Sequence, residues 1–451
     1  MSTIVNIIYW FFGTAVSLYL LTFALSSIKE KHLRATVLST LLLVGQATPW
    51  LVGGLMLDDS RTPWMATVSV LIAVSAGLFF GPIGRRTVVR IREGGERVDE
   101  RDVVFAREEY MPGSEKYQIY YALHPELREI DDRTRSLPEL LKPGGRYYDD
   151  VRSPKTEQVF CRIESLTGDV DGSVAESKQL QSTESNTSWA KRRGLELGAD
   201  EVGVARLNQR WVYSYVGRGP EEWGSRIVNN HTYVIAFSLE MAYDSVAAAP
   251  QLAITEETAR QYLNGAEISI RLAREIRARG YSARAHIAGS NYQIMLPPVA
   301  QDAGLGELSR MGYLISPKYG ARVRLGAVTT DLPLMPDDPV CFGVQEFCEV
   351  CKKCATNCPS TSIPSGPREW VRGVEKWPLK VEPCLQYWRA IGTDCGLCMR
   401  VCPFSHPPTF VHNVVKAGIK RSAFARQVST WADDLFYGRK VKYERFLEGL
   451  D

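Results

Sequence analysis

The cysteines between Cys348 and Cys402 set the narrowest limit on what this chain can fold around. The first run reads Cys348-Glu-Val-Cys351-Lys-Lys-Cys354-Ala-Thr-Asn-Cys358-Pro359, a C-x2-C-x2-C-x3-C-P pattern. The second is Cys384 followed by Cys395-Gly-Leu-Cys398-Met-Arg-Val-Cys402-Pro403, a C-x10-C-x2-C-x3-C-P pattern. Thiolates at this spacing wrap the corners of an iron–sulfur cube, and the proline ends the turn. In the ferredoxin arrangement the last cysteine of each run ligates the other cluster. On that rule Cys348, Cys351, Cys354 and Cys402 hold one [4Fe-4S] cluster, and Cys358, Cys384, Cys395 and Cys398 hold a second. The crossing would tie two clusters into one small electron-transfer domain. Structural zinc is the competing reading, but zinc calls for neither the third Cys at x2 nor the Cys-Pro ending. Of the 10 cysteines only Cys161 and Cys341 lie outside the runs, so a disulfide framework is not expected.

The chain has 451 residues, enough for two or three domains. A formal net charge of +3 is too small to argue for a nucleic-acid partner. The mean composition hides an asymmetry, because Met1 to Gly84 is far more apolar than the rest. Ile4–Leu25, Ala35–Leu57 (interrupted by Gln46 and Pro49) and Thr62–Ile83 are each long enough to cross a hydrocarbon core of ~30 Å. The start, Met-Ser-Thr-Ile, lacks the basic residues of a signal peptide. Lys29, Lys31 and Arg34 follow the first span, and Arg85, Arg86, Arg90 and Arg92 follow the third. The second connection, Asp58-Asp59-Ser60-Arg61, carries one basic residue. The positive-inside rule then puts both basic flanks, and everything after Arg85, in the cytoplasm as part of a multi-pass membrane protein. The Arg85-Arg86 pair follows its apolar run, whereas a twin-arginine export signal precedes one.

Glu93–Arg133 reads as a polar linker with short elements, Leu137–Tyr148 as an ordered loop, and Gly168–Thr187 as a surface loop. From Trp189 the pattern is α/β. Helix-like Ala190–Leu197 leads to apolar, β-branched strands at Val202–Leu207 and Thr232–Phe237. Thr255–Arg279 is the clearest helix, with acids at its start, arginines at its end and Gly280 as a cap. Strands are expected at Ala283–Ile287, Tyr313–Ser316 and Val323–Thr329, and a helix at Leu305–Met311. Gly304-Leu-Gly306 lacks the third glycine of a dinucleotide fingerprint, and no P-loop or nucleophile elbow occurs. The expected domains are a membrane anchor (1–84), a linker and N-terminal segment (85–188), an α/β domain (189–337), a ferredoxin-like domain (338–410) and a tail (411–451) packing on the α/β domain.

Asn208-Gln-Arg-Trp-Val-Tyr213, the block from Ala303 to Leu325, Thr330-Asp-Leu-Pro-Leu-Met-Pro-Asp337 and the two cysteine runs together resemble the corrinoid- and iron–sulfur-dependent reductive dehalogenases. The resemblance covers Leu137 to the C-terminus and is shared in part with epoxyqueuosine reductase. It implies a nitroreductase-like α/β sandwich beneath a cobalamin or related corrinoid, closed on one side by the ferredoxin-like domain. The corrinoid would be base-off, without a His ligand, in keeping with the absence of any Asp-x-His-x-x-Gly. By motif matching the proton donor falls on Tyr262, its basic assistant on Arg324 and its polar partner on Asn291. The implied reaction is reductive dehalogenation of an organohalide, with two electrons passing through the two clusters. No residue is assigned to the corrinoid itself. A nearby guanidinium favours the phenolate of a tyrosine and so makes it a better acid. Without the resemblance, a helix-face tyrosine is read first as packing.

Respiratory members carry a twin-arginine leader and dock on a separate three-helix membrane protein, whereas here three spans are fused to the catalytic part. The electron donor would be a ferredoxin, a flavodoxin, an NAD(P)H-linked reductase or a membrane donor. Epoxyqueuosine reduction, a cluster-only membrane electron carrier and a corrinoid-handling protein are the competing readings. Cobalt content separates the carrier from the corrinoid enzymes.

Overall fold

The structure, a computed structural model, describes residues 2–55, 61–84, 89–92, 94–289 and 292–443. Asn291, the stretch from Asp58 to Ser60 and the Arg85-Arg86 pair therefore lie outside the described residues. The chain divides into two compact units. One gathers Met1–Thr87, Phe342–Cys351 and His406–Val441, and the other gathers Val88–Cys341 and Lys352–Ser405.

In the first unit the apolar runs are helical: Ser2–Lys29, Leu33–Gly45 with Ala47–Leu55, and Arg61–Phe80. Three stretches, Thr3–Lys29, Leu33–Leu55 and Arg61–Phe80, are long and apolar enough to cross a membrane. The break in the middle stretch falls at Gln46, as its polarity suggests. Its amide is satisfied across the bundle, donating to Ser17 Oγ at 2.7 Å and accepting from Trp50 Nε1 at 2.5 Å. A polar group in an apolar layer needs such a partner. The tail forms two helices, Phe410–Arg421 and Ala423–Tyr437, and its observed packing is against the apolar helices. This corrects the expectation that the tail belongs with the α/β domain. Ser422 caps the second tail helix and donates to the Leu78 carbonyl at 2.6 Å, and Phe436 meets Phe23 edge to face at 4.7 Å.

The second unit is built on a four-stranded sheet: β1 (Glu201–Arg206), β2 (Tyr233–Glu240), β3 (Ala283–His286) and β4 (Val323–Thr330). Their order is β1-β2-β4-β3, and every pairing is antiparallel. Alternation sends Val204, Ile235 and Val328 to one face, against the long helix Leu252–Ala278. It sends Ala205, Val234, Ala236 and Ala327 to the other, with Val299 and Ala300 of helix Leu296–Asp302. Three layers result. The register places Arg324 opposite Leu239 near one end of the sheet.

Two expectations fail here for local reasons. Leu305–Met311 is not a helix but enters a small hairpin, Glu307–Leu308 paired with Leu314–Ile315. Gly306 lies so close to the Ile315 carbonyl that a Cβ there would come within 2.1 Å, and Gly312 turns the chain at φ +76°. Glu93–Arg133 is not a linker. It supplies helices Val104–Glu108, Glu115–Leu123 and most of Pro125–Ser136, which bury Tyr110, Tyr117, Tyr120 and Tyr121. The buried Arg107 guanidinium bonds Asp131 at 3.2 Å and Glu382 at 2.5 Å, tying this lobe to the helix that carries Cys384.

The start of β4 is fastened to the end of the second cysteine run. Arg322, fully buried, donates to the carbonyl of Ser405 at 2.6 Å, to that of Met241 at 2.6 Å and to Glu240 at 2.8 Å. Gly320, at φ +63°, approaches the Phe404 carbonyl within a distance that no Cβ could tolerate. Arg322→Met leaves these buried acceptors unpaired. It is expected to destabilise this unit by roughly 3 kcal/mol, read as a lower thermal unfolding midpoint than the parent's.

Candidate functional site

The long helix Leu252–Ala278 presents Thr255, Thr258 and Tyr262 at spacings of three and four, hence along one face. That face meets β4 and the loop Gly392–Cys395. Gly392 ends helix Val381–Ile391 in the left-handed conformation at φ +74°, turning the chain toward the long helix. Thr393 Oγ1 then donates to the Pro250 carbonyl at 2.8 Å, and the Asp394 N–H donates to Thr255 Oγ1 at 2.8 Å. Thus pinned, the Asp394 carboxylate accepts from Thr258 Oγ1 at 2.6 Å.

Arg324 reaches this group from the sheet. Its Nη2 donates to Thr258 Oγ1 at 2.6 Å and lies 3.4 Å from Asp394 Oδ2. Its guanidinium carbon stands 5.2 Å from the centre of the Tyr262 ring, within cation–π range. The structure therefore brings Arg324 and Tyr262 together. Burial works against the Arg324 charge, but Tyr262, Asp394, Tyr313 and Tyr292 more than offset it, so its pKa lies above the ordinary arginine value. Burial pushes the Asp394 carboxyl up, against the pull of Arg324 and Thr258.

Around this pair lie Tyr213, Tyr292 and Tyr313. All three, like Arg324, are half-buried. Burial pushes the Tyr213 phenol up to about 12. It raises Tyr292 too, with Tyr262 adding to the rise and Arg324 opposing it. Tyr313 is raised by burial and by Cys398, and Arg324 opposes that shift, so this phenol feels both the guanidinium and the cysteine run. The Nε–H of Arg324 is buried without a hydrogen-bond partner among the described residues.

The two C-x2-C turns share one local geometry. Lys352 follows Cys351 at φ +53°, and Gly396 follows Cys395 at φ +60°; each left-handed residue opens a short helix, Lys353–Asn357 or Leu397–Arg400. A turn of this hand curls successive thiols and amides about one centre. In the second unit the sulfurs of Cys358, Cys384, Cys395 and Cys398 influence one another. Burial lifts the Cys384 thiol to about 12, with Cys358 adding to the rise. Burial likewise raises Cys398, with Cys395, Cys384 and Cys358 all contributing. Four sulfurs gathered this closely are a donor set that suits an iron–sulfur cluster. The Ser362 N–H already points at Cys358 Sγ from 3.3 Å. Cys348 and Cys351 lie on helix Val344–Cys351 in the first unit, and Cys354 and Cys402 lie in the second.

Thr258 and Asp394 were not singled out from sequence. The available signals were their positions: Thr258 four residues before Tyr262, and Asp394 immediately before Cys395.

Residues 347–406 match the family described as a 4Fe-4S dicluster domain. A tetrachloroethene reductive dehalogenase of Sulfurospirillum multivorans is 35% identical over 298 residues, 58% of this chain and 59% of that protein. Over that stretch the chain is similar to the reductive dehalogenases. Among solved structures, the catabolic reductive dehalogenase NpRdhA in complex with 3-bromo-4-hydroxybenzoic acid superposes with a TM-score of 0.66 at 26% identity, covering 80% of this chain and 49% of that one. A reductive dehalogenase whose structure is described in terms of B12-dependent dehalogenation gives 0.65 at 26% identity, covering 80% of this chain and 50% of that one. The chain spans only half to three-fifths of the length of the relatives it matches.

If Asp394 is what keeps the buried Arg324 charge tolerable, Asp394→Ala should lower stability by roughly 3 kcal/mol, and adding Arg324→Met should recover most of that loss. Thermal unfolding of the four proteins in that double-mutant cycle, kept anaerobic, measures the coupling.

Proposed function

We propose that this chain reductively dehalogenates an organohalide, replacing a carbon–halogen bond by a carbon–hydrogen bond at the expense of two electrons and one proton, with release of halide. The observation that carries the reading is the Tyr262–Arg324–Asp394 assembly. It sets a phenol beside a cation whose counter-ion, Asp394, directly precedes Cys395.

In this reading Cys348, Cys351, Cys354 and Cys402 ligate one [4Fe-4S] cluster and Cys358, Cys384, Cys395 and Cys398 the other. The sheet and its helices form the nitroreductase-like sandwich, and the region around Tyr213, Tyr262, Tyr292, Tyr313 and Arg324 takes a base-off cobalamin or related corrinoid. The corrinoid supplies the two-electron chemistry at the carbon–halogen bond. The protein's own residues supply the proton and its timing. Arg324, held by Thr258 and Asp394, stands 5.2 Å from the centre of the Tyr262 ring, and Tyr262 gives its proton to the carbon that loses halide. Asn291 is assigned as the polar partner of that phenol. Thr258 and Asp394 act through Arg324 and are positioning residues. The enclosing tyrosines keep bulk water from competing as proton source.

The three apolar helices form a multi-pass anchor, with the catalytic part on the cytoplasmic side. Electrons come from a ferredoxin, a flavodoxin, a reductase or a membrane donor. The long shared segment with a tetrachloroethene dehalogenase supports this reading over epoxyqueuosine reduction.

Protein assembled without oxygen should hold about eight iron and about one cobalt per chain. Cys398→Ala is expected to halve the iron, because one cluster is lost. Tyr262→Phe should retain iron and cobalt yet slow halide release from a panel of haloaromatics and haloalkenes by at least ~100-fold. Parent-like halide release by that variant would remove Tyr262 from the mechanism, and a parent that takes up no cobalt would remove the corrinoid. A periplasmic reporter fused after Asp451 should be inactive if the catalytic part faces the cytoplasm.

A further inference from the structure

The first unit contains a second constellation of metal-ligating side chains, none of them a cysteine. Glu30 follows the helix Ser2–Lys29, His406 opens the segment after Ser405, and His412 lies on helix Phe410–Arg421. One carboxylate oxygen or ring nitrogen from each lies within 4.8 Å of the other two. Glu30 Oε1 is 2.7 Å from His412 Nε2, and Glu30 Oε2 is 3.2 Å from His406 Nδ1. The three side chains are only 2%, 9% and 12% exposed for Glu30, His412 and His406. The two imidazoles lie nearly parallel, 4.6 Å apart at an interplanar angle of 10°. Two further groups stand behind them. Asp433 Oδ1 lies 3.4 Å from His406 Nε2, and the Tyr437 hydroxyl lies 3.4 Å from Glu30 Oε2.

We propose that Glu30, His406 and His412 bind a divalent transition-metal ion of the zinc class, fastening the end of the first apolar helix to the C-terminal helices. His406 decides the argument. An imidazole that donates its Nε2–H to Asp433 presents a lone pair at Nδ1, and that lone pair faces the Glu30 carboxylate. Lone pair against carboxylate is repulsive unless a proton or a metal ion lies between them. A divalent ion takes that lone pair, a Glu30 oxygen and the Nε2 lone pair of His412 together, the three donor atoms all lying within 4.8 Å of one another.

Two imidazoles and a carboxylate are an established donor set for zinc, and a carboxylate on the far nitrogen of a ligating histidine is its usual support. The 3.2 Å separation is close to the edge of a tetrahedron with arms of ~2.0–2.1 Å, and the 2.7 Å pair reaches that edge by a movement of about half an ångström. Imidazole nitrogen with carboxylate oxygen also separates this site from the cysteine runs, whose ligands are all sulfur.

The test uses the full chain in detergent, assembled with its iron and cobalt, stripped of loosely bound metal with a chelator and then offered zinc(II) alone. The expected result is about one zinc per chain surviving gel filtration, with an X-ray absorption spectrum showing nitrogen and oxygen neighbours and imidazole scattering. Zinc should raise the thermal midpoint of the parent. His412→Ala and Glu30→Ala should each weaken zinc retention by at least ~10-fold. His412→Cys, which restores a donor, should recover retention and introduce one sulfur neighbour. Parent protein with its full iron content that retains no more zinc than His412→Ala overturns the proposal, and so does parent zinc with sulfur neighbours. In either case the cluster is a hydrogen-bonded network.

Discussion

A guanidinium taken out of water must find its counter-charge nearby, and in this chain Arg324 finds it on the loop that leads into Cys395. The ion pair with Asp394 is long, at 3.4 Å, but Thr258 closes the gap by accepting from one partner and donating to the other. Three separate pieces of chain meet there: a strand of the sheet, the helix packed on it and the cysteine loop. Each contributes one member, and none could keep its member buried alone, because an unpaired ion or hydroxyl in a desolvated site costs several kcal/mol, on the order of 3. Tyr262, Tyr292 and Tyr313 are arranged around the charge that this junction makes tolerable.

The same logic recurs at the start of β4. Arg322, two residues before Arg324 and just ahead of the strand, gathers two carbonyls and a carboxylate. Two arginines close together in sequence thus do different work. Arg322 spends its named bonds on acceptors that fasten the sheet to the Cys-Pro end of the second run. Arg324 spends its own on Thr258 and Asp394.

Much of this was legible in the sequence. The cysteine runs announce a dicluster segment through spacing alone, and the strands at Val202, Thr232, Ala283 and Val323 follow from β-branched apolar runs. The apolar helices follow from length, and Gln46 marks the break in the second span. Other features were not legible, for identifiable reasons. The lobe from Glu100 to Ser136 looks like a linker because its core is made of tyrosines and a buried ion pair, Arg107 with Asp131, rather than aliphatic residues at helical spacing. The stretch after Gly304 has helical composition, but glycine contacts with carbonyls across the hairpin outweigh propensity. The tail's amphipathic helices carry no sign of which surface they cover. Thr258 and Asp394 are ordinary residues whose importance arises only when strand, helix and loop converge.

The close approach of Gly320 to Phe404 has a consequence for rigidity. The main chain just past Cys402 lies directly against the turn that leads into the strand bearing Arg324, a contact that no change of rotamer can loosen. The end of the second cysteine run is therefore held in place by backbone rather than by the fit of side chains alone.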